Sequence, residues 1–151
     1  MIRNMLATAI LIVVVTALAS AQDRGFGLGL ILGEPTGLSA KAWVSSNNAL
    51  DFGAAWSFRH KGFFHLHGDY LWHWRHAIQS SEEFVPYAGI GARVAAGRGE
   101  GIFGVRFVGG LAWWPHGAPI DVFVEVAPIL DLVETTALSG NGGVGVRFYF
   151  K

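Results

Sequence analysis

Cysteine is absent from the 151-residue chain, so no disulfide braces it and thiol chemistry is closed to it. Charge is scarce and balanced, eleven lysines and arginines against eleven acidic residues, which removes the electrostatic case for nucleic acid as a partner. Beyond residue 21 no apolar run is long enough to span a membrane as a helix. Phosphate-binding loops, zinc-protease helices, nucleophile elbows and glycosylation sequons are missing too. What remains is greasy: 52% of the residues are apolar, with 21 glycines and six tryptophans. That mixture is unusual for a water-soluble domain.

The N-terminus has a separate character. One cation, Arg3, precedes an apolar block over residues 5–19 that closes on Ala19-Ser20-Ala21. A cationic start, a short apolar run and a small-x-small site describe a secretory signal peptide over residues 1–21, cleaved after Ala21. The block is shorter than the ~20 residues of a spanning helix. Export is therefore expected, with residues 22–151 as one mature domain.

Eight segments of that domain alternate with a period of two, as strands do. They cover residues 25–32, 37–44, 50–58, 63–74, 84–95, 102–114, 120–132 and 143–150, separated by turn residues such as Gly33-Glu34-Pro35-Thr36. The stretch over residues 63–74, FFHLHGDYLWHW, sets Phe64, Leu66, Tyr70, Trp72 and Trp74 against His65, His67, Asp69 and His73. In every segment the charges lie opposite the apolar face: Lys41, Asp51, Asp69, Arg93, Arg106, Asp121, Glu125, Asp131 and Arg147. A soluble sandwich rarely leaves so continuous an apolar surface uncovered. A membrane barrel requires one, with lipid outside and polar groups within.

With up-and-down connectivity, Trp43, Trp72, Trp74, Trp113, Trp114 and Phe150 gather at one rim, where an aromatic girdle at a membrane interface is expected. Only Trp56 lies toward the other rim. An even number of strands closes without free edges, and closure is obligatory in lipid. The fold predicted is all-β, an eight-stranded antiparallel up-and-down transmembrane β-barrel. At eight strands the interior is filled by side chains, with inward glycines making room for arginines and aromatics, so a plugged barrel is expected.

The motifs GEPTGLSAKAW (33–43), DFGAAWSF (51–58), LHGDYLWH (66–73), YAGIGAR (87–93), DVFVEVAP (121–128) and GVGVRFYF (143–150) resemble a family of small, poorly characterised bacterial outer-membrane β-barrels. The resemblance covers nearly all of the mature chain. It implies an eight-stranded barrel in the bacterial outer membrane, with outer-membrane lipid and the barrel-assembly machinery as partners, a surface ligand left open, and no transferable catalytic residues. Termini on the periplasmic side would put the long polar connection over residues 75–83 there as well.

The inward charges are read as an interior polar network of Lys41, Asp51, His65, His67, Asp69, His73, Arg93, Arg106, Glu125, Asp131 and Arg147. Buried charges persist only when paired, and hairpin geometry sets Lys41 close to Asp51 and Asp51 close to Asp69. His65, His67 and Asp69 share one strand face at a spacing that can hold a metal, but no fourth ligand is evident, so these residues are read as members of the network, with no cofactor expected. Two alternatives remain. A lipid-modifying outer-membrane enzyme would use Ser57 with His65 and either Asp69 or Asp51, although Ser57 is assigned inward. A soluble periplasmic barrel binding a small apolar ligand would need the apolar face inward and the charges outward.

Overall fold

The computed structural model describes residues 25–34, 36–56, 64–97, 99–132 and 136–150. Eight strands follow one another: β1 (Phe26–Glu34), β2 (Thr36–Trp43), β3 (Asn48–Trp56), β4 (Phe64–His73), β5 (Glu83–Gly97), β6 (Glu100–Trp114), β7 (Ile120–Asp131) and β8 (Ala137–Phe150). Each pairs antiparallel with the next, and β1 pairs with β8 to close the barrel. Closure leaves no sheet edge, so every strand finds backbone partners on both sides. The expected signal peptide and Ser57 lie outside the described residues.

Sequence and structure differ mainly at strand ends. β8 begins at Ala137, six residues before the expected 143, and its first residues pair with the end of β7 through Leu130↔Leu138 and Asp131↔Ala137. Glycines at 140, 142 and 143 erase the apolar alternation there without interrupting the ladder. The turn ahead of β2 is closed by a side chain: Thr36 Oγ1 donates to the Gly33 carbonyl at 2.9 Å and accepts from the Gly33 N–H at 3.1 Å. Ser45 does similar work between β2 and β3, its Oγ accepting from the Asn48 N–H at 3.0 Å. Gly99 and Gly117 supply the positive φ, 79° and 78°, that two other turns require.

Alternation along each strand divides the residues cleanly. Leu28, Leu30, Leu32, Leu38, Leu66, Ile90, Phe103, Phe107, Val126 and Val146 all point outward and are exposed. Lys41, Asp51, Asp69, Arg106, Asp121, Glu125 and Arg147 point inward and are buried. This is the reverse of what a water-soluble barrel around an apolar ligand needs. The interior core joins Leu71, Tyr87, Val108, Ala112, Phe123 and Ala127, with Ile31 and Trp114 against it.

Inward glycines are where this interior finds its volume. A Cβ added at Gly145 would strike the Phe123 ring and come within 2.7 Å of the Leu30 carbonyl, and one at Gly53 would strike the His67 ring. Gly109, by contrast, faces outward and a Cβ there meets nothing within 4 Å. Overpacking a filled interior costs about 1–3 kcal/mol, whereas open surface positions change stability by about 0.5 kcal/mol or less. Gly145→Ala is therefore expected to lower stability by about 1–3 kcal/mol and Gly109→Ala to leave it nearly unchanged. Urea unfolding of the two variants in detergent micelles, followed by tryptophan fluorescence, measures the difference.

Candidate functional site: the interior polar network

The strands set inward side chains facing one another across a narrow lumen, and these sort into three groups. The central group is built on Arg147 of β8, whose guanidinium reaches across the barrel. Its Nη2 donates to Asp51 Oδ1 at 2.6 Å, its Nε to Ser39 Oγ at 2.8 Å, and its Nη1 lies 3.5 Å from Asp121 Oδ2. Tyr149 also donates to Asp121 Oδ2, at 2.6 Å. The guanidinium carbon stands 3.8 Å above the Phe123 ring centroid, so the planar cation is both hydrogen-bonded at its edge and stacked on its face.

Arg106 of β6 organises the neighbouring carboxylates. Its Nε donates to Asp69 Oδ1 at 3.1 Å and its Nη2 to Glu125 Oε1 at 3.3 Å, while Tyr87 donates to Glu125 Oε2 at 2.8 Å. With its amide oriented to satisfy both ends, Asn141 accepts from Arg106 Nη1 at 2.7 Å. Farther along, toward the end of the barrel away from the termini, Arg93 grips Asp131. Nη2 lies 2.7 Å from each Asp131 carboxylate oxygen, and Ser139 Oγ donates to Oδ2 at 2.7 Å.

The third group closes the terminal end of the lumen. The His73 Nδ1–H donates to the Asn47 carbonyl at 3.2 Å, which leaves Nε2 to accept from Lys41 Nζ at 2.7 Å. The ammonium also stands 5.0 Å from the centroids of both Trp43 and Tyr87. Arg75 covers the outer side, 4.9 Å from the Trp43 ring and 4.5 Å from the Trp114 ring.

Of the residues assigned to the network from sequence, Lys41, Asp51, His65, Asp69, His73, Arg106, Glu125, Asp131 and Arg147 are buried, and His67 and Arg93 are partly so. Lys41 and Asp51 face each other in exact register, as do Asp51 and Asp69. Yet Lys41 turns to His73 and Asp51 to Arg147, because a barrel this narrow brings β8 within reach of β3. His65 lies beside the carboxylates, not among them; its Nε2 is 3.3 Å from His67 Nδ1.

The expected aromatic girdle needs correction. Trp72, Trp74, Trp113 and Phe150 are exposed on the outer surface, but Trp43 is 6% exposed and Trp114 is half-buried. Both belong to the inward parity of their strands, with Lys41 and with Ala112 respectively, and their rings meet edge to face at 5.6 Å over the lumen mouth. They stopper the barrel from inside. Ser39, Tyr87, Ser139, Asn141 and Tyr149 complete the network although sequence assigned them no role in it; inward parity marks all but Ser139 and Asn141, which precede the expected start of the last strand.

No protein-family model matches the chain, and no curated protein matches it either. Solved structures do. The N-terminal β-barrel domain of OprF from Pseudomonas aeruginosa is similar at a TM-score of 0.63 and 11% identity, over 83% of this chain and 97% of that one. Neisserial surface protein A (NspA) is similar at 0.51 and 12% identity, over 83% of this chain and 94% of that one. At such identities the likeness is one of fold: this chain has the eight-stranded barrel architecture of outer-membrane proteins.

Removing one partner from a buried ion pair typically costs about 3–5 kcal/mol, because the other charge stays behind uncompensated. Arg147→Met is expected to destabilise the barrel by about that amount, since it strands Asp51 and weakens the hold on Asp121. Adding Asp51→Asn to that variant should recover part of the loss. A double-mutant cycle by urea unfolding reads the coupling, and strictly additive losses would refute it.

Proposed function

We propose that the chain is an integral protein of the bacterial outer membrane, exported through residues 1–21, with a structural or surface-interaction role and neither catalysis nor an open pore. The observation that carries this reading is the division of the barrel wall. An apolar exterior along the described strands, with Trp72, Trp74 and Trp113 near the terminal rim, surrounds an interior of paired charges. In water the exterior would be a large uncovered apolar surface; in a bilayer it is the solvent-facing side. Trp113 suits an interface position in particular, since its ring is exposed while its Nε1 donates to Glu82 at 3.0 Å.

The plugged interior argues against conduction. Arg106, Arg147, Lys41, Phe123 and Leu71 are fully buried inside the wall, and their side chains occupy the space through which ions would pass. Outer-membrane lipid and the barrel-assembly machinery are the partners this reading requires.

Fractionation and conductance test it together. The protein should sediment with outer membranes, resist extraction without detergent, migrate differently on gels with and without boiling, and give little conductance in planar bilayers. Recovery from the soluble periplasm would refute the membrane assignment, and large steady currents would refute the plugged interior.

A further inference from the structure

Three electron-pair donors converge inside the barrel. Asp51 and Asp69, facing each other on β3 and β4, each give Oδ1 to an arginine, Asp51 to Arg147 at 2.6 Å and Asp69 to Arg106 at 3.1 Å. Their Oδ2 atoms turn the other way, toward His67 Nε2, which stands 3.8 Å from each. All three ligand atoms lie within 4.8 Å of one another. A separation of 3.8 Å is too long for a hydrogen bond, and within a few tenths of an ångström it matches two ligands each about 2.0–2.2 Å from a common ion.

Three further observations point to a cation site. Among the described residues none makes a hydrogen bond to Asp69 Oδ2, which is buried on a side chain with 0% exposure. A buried carboxylate oxygen left in this state costs stability unless something positive meets it. Among the described residues, the side chains turned into the lumen also include five carboxylates, Asp51, Asp69, Asp121, Glu125 and Asp131, beside four cations, Lys41, Arg93, Arg106 and Arg147, with Arg75 above the mouth. Finally, His67 is oriented as metal-bound histidines are. His67 Nδ1 lies 3.3 Å from His65 Nε2, and in the tautomer whose Nδ1–H donates there the Nε2 lone pair is aimed at the two carboxylates.

We propose that Asp51, His67 and Asp69 form a binding site for a first-row divalent metal ion, with one nitrogen and two oxygen ligands from the protein and water completing the shell. That donor set suits zinc and its neighbours better than calcium, which takes six or more oxygens. Arg147 and Arg106 hold the ligating carboxylates in orientation from their other oxygens. Gly53 provides the room, since a Cβ there would displace the His67 ring.

The test uses the untagged full chain, purified in detergent, stripped with a chelator and dialysed. To exclude histidines outside the cluster, His60, His76 and His116 are replaced by glutamine in the background variant. Calorimetric titration with zinc should show one equivalent bound. Adding His67→Gln should weaken it by more than the roughly 10–100-fold typical of losing an outer-shell partner. No stoichiometric binding by the background variant, or binding unmoved by His67→Gln, overturns the site. If His67→Gln fails to give the heat-shifted band of a folded barrel, the background variant loaded with copper decides. Pulsed electron paramagnetic resonance showing one coordinated imidazole supports the site, and none or several overturns it.

Discussion

Eight strands close around a space that side chains fill, and from this single constraint the rest of the interior follows. Water cannot solvate the charges that alternation sends inward, so each must be met by another side chain or remain a large cost. Arginine answers the demand best because one guanidinium serves several acceptors at once. Arg147 touches Ser39, Asp51 and Asp121, contributed by three strands, while stacking on Phe123 from one of them. Arg106 links Asp69 of β4 to Glu125 of β7. The Arg147 bonds to Ser39 and Asp51 and the Arg106 bond to Asp69 tie together strands that share no backbone ladder, so the network acts as transverse bracing. In a chain without cysteine, nothing covalent could do that work.

Space for such large side chains has to be removed from somewhere else, and glycine is where it is removed. Gly53 lies opposite His67 in the ladder, Gly91 opposite Asp69, Gly104 opposite Asp131 and Gly145 opposite Phe123. Each of these four bulky or charged residues thus faces a neighbour with no side chain. The glycine content and the scarcity of charge are two views of one packing problem.

The period-two pattern made the barrel legible, because within the spans read from sequence every strand charge lies opposite the apolar face. Hairpin register was legible as well: short turns such as Ser45–Asn48 fix which residues stand opposite, and Lys41, Asp51 and Asp69 share one row as a result. Partner choice was not. Asp51 and Arg147 are 96 positions apart and meet only because the sheet curls closed, a distance that local pattern does not encode. Nor does aromatic character alone reveal which way a tryptophan faces at a strand end. Trp113 and Trp114 are neighbours in sequence, yet one lies against the outer surface and the other packs on the interior core, because parity outweighs residue type.

The pairing of Asp51 with Asp69 is the point at which these constraints conflict. Like charges directly opposite on neighbouring strands are destabilising, and burial strengthens the repulsion by excluding water. The arrangement is tolerable because the flanking arginines come from opposite directions, Arg147 from β8 and Arg106 from β6, so that each carboxylate turns one oxygen away from its rival. The two arginines are therefore not independent supports. Losing either would leave a carboxylate unpaired beside its like-charged neighbour, so a change on β6 is felt on β3 through a residue of β4. The same geometry leaves the two remaining oxygens directed at His67 Nε2, at equal distances of 3.8 Å. A pair of aspartates that looks like an electrostatic fault in the ladder is, across the lumen, the link between both halves of the network.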